Sequence, residues 1–566
     1  MTNLSLRFKS RVLSLLINSW AQVACGILLT GHGISAWVAA KNQSVVWDEI
    51  TIPAAGLVQW KTGEIGINQQ HPFLSKLICS APLMLTSAQI PFDHLSWKAR
   101  DSYRFGYEFT FRNTLPPRQI IETTRFTMIM ISILTGLILC LCVGALWGPV
   151  GGLGALVCYV CTPIIAARSS LALLEMPQYF FLTMTVAFWG GWIRTSRKIF
   201  FWTSSLSAGL AVACKSSSAV VLAALFMIEL FRTAQEYSLK NRINNAFVWG
   251  LGAGGFFCLL YLLWSNGIHS LMTALTFPFT FGKNHNQYYF YGVTLMDPPA
   301  FLTWGSMLLK APPFVVSLSA IGAWAWYDSR KERMFFVSIV VVMGTLFLSV
   351  FLMRTALSTV QISAVYLLLA VLAGGIGARR WGRLGRLGLI LLALGAVSDM
   401  AWSRANPLAY FNFFVGGKNQ GYRWLADSDQ DWGQWLPQLK SYWDKQGRPG
   451  LLLAYSGASD PSAYGLVFQD LVSSALYVRE ARETEISIKE NRVLLAVGTK
   501  MLQSEPRLFA WLQNNLTPIA QPDPCFFVYD LTGNAEAFRW VAALYSITKR
   551  PHRAQWALAY AQKGEN

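Results

Sequence analysis

Residues 126–147, FTMIMISILTGLILCLCVGALW, carry no charged side chain over 22 positions. About 20 predominantly apolar residues are what an α-helix needs to cross the hydrocarbon core of a bilayer. This run therefore predicts a membrane-spanning helix, and the chain around it repeats the signal. Further apolar runs lie near 21–40, 152–167, 174–192, 199–214, 216–231, 246–264, 300–326, 334–353, 358–378 and 387–402. Composition agrees, with 53% hydrophobic and 13% charged residues where a soluble chain carries about a quarter charged. The 23 tryptophans suit membrane–water interfaces. The expected fold class is a polytopic α-helical membrane protein of about eleven transmembrane helices, with a C-terminal soluble α/β domain.

Charge supplies an independent test. Basic residues cluster at every second junction: Arg194, Arg197 and Lys198; Arg232, Lys240 and Arg242; Arg330, Lys331 and Arg333; Arg379, Arg380, Arg383 and Arg386. The exception is an uncharged turn near 148–151. This is the positive-inside pattern, and it predicts a cytoplasmic N-terminus, after Arg7, Lys9 and Arg11. An odd number of crossings then puts the C-terminal part on the extracytoplasmic side of a cell (inner) membrane. Up to residue 402 there are 30 Lys+Arg against 14 Asp+Glu, and beyond it 17 against 15. Of the net charge of +18, +16 (30 − 14) lies in the membrane part and serves topology, and nucleic acid is not an implied partner. The apolar start resembles a signal peptide, but it is long and lacks a clear cleavage site, so it reads as a retained first helix.

The chain divides at about 402 into a transmembrane part, 1–402, and a soluble part, 403–566. Two outer loops are long, about 41–122 and 265–299, and long loops usually carry function. Within the first, 72–91 is apolar but broken by Lys76 and prolines, which predicts an interfacial helix. In the tail, 451–455, 493–497 and 525–529 read as buried strands and 435–443 and 506–514 as helices. Seven of the nine cysteines lie in apolar runs as small hydrophobes. Cys79 and Cys525 fall outside them, placed where a disulfide is chemically allowed.

Function in such a chain shows where polar groups stay near lipid. Asp48 and Glu49 follow the first helix, as catalytic carboxylates or as a solvated loop pair. Glu175 opens a helix, as a catalytic group or as a carboxylate favoured by the helix dipole. Lys215 sits between two apolar runs, as a ligand or an interfacial anchor. Lys310 interrupts an apolar run directly before Ala311-Pro312-Pro313, where the prolines must break the helix and free carbonyls. An ionised group costs about 2.5–3.5 kcal/mol at the bilayer centre, so Lys310 is expected in a polar cavity or reaching the surface. Together these residues predict an outward-facing cavity with acidic and cationic corners.

The order of short motifs carries a resemblance. Trp47-Asp48-Glu49 is followed by Gln70-His71-Pro72-Phe73-Leu74-Ser75-Lys76, then Leu174-Glu175-Met176-Pro177, Ala213-Cys214-Lys215, and Gly282-Lys283-Asn284-His285 leading to Lys310-Ala311-Pro312. The tail adds Asp427-Ser428-Asp429-Gln430-Asp431-Trp432-Gly433-Gln434, then Ala454-Tyr455-Ser456-Gly457 and Asp460-Pro461. The series, from about Asp48 to Leu531, resembles polytopic GT-C type glycosyltransferases that use polyprenyl-phosphate sugars, the protein mannosyltransferase and aminoarabinose transferase-like group (glycosyltransferase family 39-like). Phe73 departs from the usual second proline, and Gln70 stands where an acidic residue is common. Where the family often has an Arg-His pair this chain has Thr359-Val360-Gln361-Ile362-Ser363, with Arg354 as the nearby cation.

The resemblance implies transfer of a sugar from a polyprenyl-phosphate donor to an acceptor hydroxyl on a protein, lipid or glycan. Asp48 would be the general base, and Glu49 and Glu175 would orient the acceptor or hold a divalent metal. No other cofactor is implied. Lys215, Lys310, Arg354 or His285 would meet the leaving phosphate, and His71 and Lys76 of the second motif belong to the same substrate-binding set. One base and direct attack imply inversion. A glycolipid transporter or flippase, or an inactive scaffold, are the alternatives. Residues 427–434 read as a structural turn, far along the chain from Asp48.

Overall fold

The computed structural model describes residues 18–231, 238–264, 266–281, 287–296, 299, 301–329, 332–352, 359–426, 428, 430–473, 484–488 and 490–565. His285, Arg354 and Asp427, singled out by the sequence, lie outside these residues. So do the basic residues Arg232, Arg330 and Lys331.

The decisive apolar stretch forms the first arm of a helical hairpin. Helix α1 spans Ser19–Lys41. The helical span Pro117–Val160 (α2) turns back at Gly148, whose φ of 76° and ψ of −175° break the helix. A positive φ is inexpensive only for glycine, and Pro149 starts the return arm without needing an N–H donor. The arms run antiparallel: a Cβ on Gly152 would meet the Cys140 carbonyl at 2.6 Å, and Tyr159 hydrogen-bonds to Ser132. The runs 126–147 and 152–167 are thus joined by the expected uncharged turn.

The bundle continues with α3 Pro163–Ser169, α4 Glu175–Thr195, α5 Lys198–Cys214, α6 Ser218–Phe231, α7 Leu239–Leu262 and α8 Gly267–Phe281. The hairpin β1 Gln287–Phe290 and β2 Val293–Met296 follows. Then come α9 Phe301–Lys310, α10 Pro313–Ser329, α11 Arg333–Leu352, α12 Val365–Ala373 and α13 Arg383–Ser403. Each expected apolar run contains helix. By length and composition, five helices among the described residues suffice to cross a membrane, or six if α9 and α10, bent by 104°, count as one span. Full crossings of that kind are fewer than the eleven expected. Lys198–Cys214 and Ser218–Leu230 are among the shorter apolar helices.

Three of the basic junctions meet at one end of the bundle. Arg194, closing α4, pairs with Glu332 before α11 at 2.8 Å, and Arg379 before α13 lies 3.5 Å from Asp328 in α10. The hairpin tip packs there too, where a Cβ on Gly377 would meet the Trp147 carbonyl. The charge alternation predicts that this end is cytoplasmic. Cysteines introduced beside Arg383 and beside Asp460 are expected to react with an impermeant reagent from opposite faces of intact membranes. Labelling of both from outside would overturn the assignment.

The break before Pro313 shows how freed carbonyls are satisfied. The Asn412 backbone N–H donates to the Leu309 carbonyl at 3.0 Å. Its side-chain amide donates to Leu308 at 2.7 Å and Ala311 at 3.3 Å. One residue beyond α13 thus replaces the helix bonds that Pro312-Pro313 removes.

The C-terminal unit is α/β, with strand order β4-β3-β5-β7-β6. Strands β3 Gly450–Ala454, β4 Gln469–Asp470 and β5 Val493–Gly498 are parallel; β6 Ala520–Asp523 and β7 Phe526–Asp530 are antiparallel additions. The expected strands and helices are present, while β4 and β6 are additions. Strands β3, β5 and β7 read as unbroken apolar runs because both faces are covered. Leu452, Val493 and Leu495 face a core with Phe538, Tyr545 and Trp556. Leu451, Leu453 and Leu494 face another that includes Trp435 and Leu439, and also Val45, Ile50 and Tyr107 of the first outer loop. The tail and the Asp48 loop bury one core together.

All nine cysteines are free, so Cys79 and Cys525 do not pair: Cys79 is buried in the first loop, whereas the Cys525 thiol donates to the Gln430 carbonyl at 3.2 Å inside the tail.

Candidate functional site

The first outer loop is folded. Asp48–Ile50 forms a 3-10 turn leading directly into the helix Thr51–Thr62. Gly106, in the helix Ser102–Phe111, lies against that turn so closely that a Cβ would meet the Ile50 carbonyl at 2.5 Å. The second motif forms the helix Leu74–Ser80, continued by a 3-10 turn Ala81–Leu85 whose Leu85 is 92% exposed. That exposed apolar end fits the expected interfacial segment.

Glu49 and Asp48 point to different surroundings. Glu49 is fully buried and pairs bidentately with Arg125, at 2.7 and 2.6 Å. It also accepts the backbone N–H groups of Val46 and Ala172. Arg125 gives its remaining donors to the carbonyls of Ala40, Gln43 and Ser44. Every polar edge of this pair is used, and it clasps α1, α2, the Asp48 turn and the strand of chain before Glu175. Asp48 is only half-buried and accepts the Tyr103 hydroxyl at 3.1 Å.

The motif stretches close into a ring. Thr51, beside Asp48, accepts from the Asn68 amide at 2.9 Å, and the Asn68 carbonyl accepts the Lys76 ammonium. Lys76 also donates to the His71 carbonyl at 2.9 Å. Ser75 donates to the Leu174 carbonyl at 2.9 Å. Glu175 accepts Lys215 at 2.8 Å, and the Glu49–Ala172 bond returns to the start. The second carboxylate oxygen of Glu175 has no hydrogen-bond partner among the described residues. Burial, then the charges of Lys76 and Lys215, push His71 down to about 3. It is therefore neutral at physiological pH, a hydrogen-bonding group rather than a cation.

Lys310 is buried at the end of α9, where its ammonium donates to the Leu408 carbonyl at 2.7 Å and lies over the Phe411 ring. It neither reaches the surface nor floats in apolar surroundings. Among the described residues no three His, Cys, Asp or Glu side chains gather as a metal site requires.

Arg168 was not singled out by the sequence. It is 1% exposed, and none of its three guanidinium nitrogens has a hydrogen-bond partner among the described residues. Its charge bears on Glu175, and its face lies 5.5 Å from the Trp432 ring. The available signal was a lone arginine seven positions before Glu175 in an otherwise uncharged stretch.

Trp432 reaches this place because the tail motif docks on the first loop. Ser44 donates to the Gly433 carbonyl at 2.7 Å and its N–H to the Gln434 carbonyl at 3.0 Å. Tyr107 donates to Asp460 at 3.0 Å, and Tyr464 accepts the Val45 N–H at 3.0 Å. Residues 430–434, distant in sequence from Asp48, are thus bound four residues before it. Hairpin β1–β2 joins the same assembly through Tyr291 N–H to the Trp424 carbonyl.

Asp431 is buried and accepts from Gly433, Thr499 and Lys500. Burial pushes it up to about 6, and burial pushes Asp523 up to about 8. Both bind protons more tightly than an unfolded Asp near 3.9. Their stabilising contribution is complete below about pH 4 and is lost as pH rises through these folded values. Thermal unfolding should show Tm falling from pH 5 to 9, and Asp523→Asn should flatten the upper part by several °C, on the order of 1 kcal/mol or more. A Tm rising across that range would contradict this.

Within the bundle lies a small apolar cleft of about 80 Å³, lined by Leu139, Val186, Val221, Phe335, Val342 and Leu367 among others. It extends from Arg194 to Thr183 and Ala364. Tyr179, one turn from Thr183 and one from Glu175, donates to Ser363.

No family model matches this chain, and no curated protein matches it. Among solved structures it is similar to the crystal structure of ArnT from Cupriavidus metallidurans bound to undecaprenyl phosphate, with a TM-score of 0.47 and 11% identity, covering 90% of this chain and 98% of that one. At that score the likeness assigns no residue a role.

Proposed function

We propose that this chain is a membrane glycosyltransferase that moves a sugar from a polyprenyl phosphate to an acceptor hydroxyl at the extracytoplasmic face. The observation that carries the reading is the run of hydrogen bonds that ties Thr51, Asn68, Lys76, Ser75, Leu174, Ala172 and Glu49 together, with the Glu175–Lys215 pair beside it. It gathers the motif stretches at the end of the bundle opposite the basic junctions, with a half-buried carboxylate, Asp48, beside it.

In this reading the acceptor oxygen attacks the anomeric carbon while Asp48 takes its proton. The carbon–oxygen bond to phosphate breaks with the electron pair leaving on phosphate, and the configuration inverts. Lys215 meets the developing charge, Glu175 holds Lys215, and neutral His71 lines the site with Lys76. Glu49 holds the Asp48 turn in place. Purified protein given a polyprenyl-phosphate sugar and candidate acceptors should form glycosylated product. Movement of the glycolipid across proteoliposomes without product would make it a transporter, and neither outcome would make it a scaffold.

A further inference from the structure

Two buried arginines in this chain differ in one respect. Arg125 uses every edge of its guanidinium on Glu49 and three backbone carbonyls. Arg168 is equally buried, and its Nε, Nη1 and Nη2 have no hydrogen-bond partner among the described residues. Buried polar groups are satisfied in folded proteins, and each exception calls for a reason. Glu175, on which the charges of both Lys215 and Arg168 bear, has already given one oxygen to Lys215 at 2.8 Å.

We infer that Arg168 forms, with Lys215 and under the ring of Trp432, a phosphate-binding site that the membrane part and the C-terminal unit build jointly. The planar fork of a guanidinium matches two oxygens of a phosphate. The Trp432 face covers one side of that plane, which leaves the edges carrying the nitrogens for an anion. Ser44, bonded to Gly433 and Gln434, holds the neighbouring turn in place. The ligand chemistry is a phosphate ester or free phosphate. The identification of that phosphate with a glycosyl donor rests on the transferase reading; anion binding itself does not.

The test uses the purified full chain in detergent, titrated with undecaprenyl phosphate, with undecaprenol and with inorganic phosphate. Wild type should bind the lipid phosphate and bind undecaprenol at least tenfold more weakly. Displacement by inorganic phosphate would show that the phosphate group suffices, and failure to displace would show that the lipid is also required. Arg168→Gln should weaken lipid-phosphate binding on the order of 10- to 100-fold and leave undecaprenol binding unchanged. Because it removes an uncompensated buried charge, it should leave the unliganded Tm unchanged or raised. A lowered unliganded Tm with unchanged affinity would make Arg168 a packing residue and overturn the proposal. Should Arg168→Gln not fold, Arg168→Lys keeps the charge without the fork and should bind more weakly than wild type; equal affinity would overturn the site as described. A wild type that binds lipid phosphate yet never transfers sugar defeats the transferase reading and leaves this site standing.

Discussion

Asp48→Asn is expected to reduce sugar transfer about 10²- to 10⁴-fold, the usual contribution of a general base, while the protein still folds and binds donor. The structure separates these effects. Asp48 is half-buried and accepts the Tyr103 hydroxyl, a bond that an amide oxygen can equally accept. Its main-chain role, accepting the Thr51 hydroxyl on its carbonyl, survives the substitution. The variant thus keeps its shape and loses only the capacity to take a proton. Transfer at near wild-type rate by purified, folded Asp48→Asn would end the assignment.

The second large effect is on stability. Arg125→Met leaves Glu49 as an uncompensated buried carboxylate and abandons the carbonyls of Ala40, Gln43 and Ser44. Breaking one side of a buried pair costs about 3–5 kcal/mol, a large part of the margin by which proteins are folded. The expected result is a strongly lowered Tm or loss of folded protein from membranes. Glu49→Gln should fall the same way, because it strands the guanidinium. Its turnover per folded molecule should nevertheless exceed that of Asp48→Asn, since Glu49 holds the turn and Asp48 takes the proton. An Arg125→Met protein with wild-type Tm and activity would show that the clasp is dispensable.

The acidic pair illustrates what one dimension conceals. Asp48 and Glu49 are neighbours with the same chemistry in sequence, and nothing local distinguishes them. Their difference comes from Arg125, 76 positions away, and Ala172, 123 positions away. The turn at Asp48–Ile50 directs one side chain into the protein and leaves the other at its edge.

Arg168 was missed for a related reason. A single arginine after an apolar run is indistinguishable from an interfacial anchor until its neighbours are known, and what marks it is the lack of protein partners at 1% exposure. The tail motif shows the same limit from the other side. Distance along the chain separated it from Asp48, but Ser44 and Gly433 are hydrogen-bonded across 389 positions.

By itself the sequence determined the membrane class, the helical runs, the main strands of the tail and the motifs worth examining. These follow from hydrophobic length, charge placement and periodicity, all properties of contiguous residues. Only the tertiary structure decided that Glu49 is a clasp, that Asn412 heals the proline break, that the tail shares a core with the first loop, and that Arg168 lies beneath Trp432. Each of these depends on which distant groups meet, and an apolar run specifies that a segment is buried without specifying its neighbour.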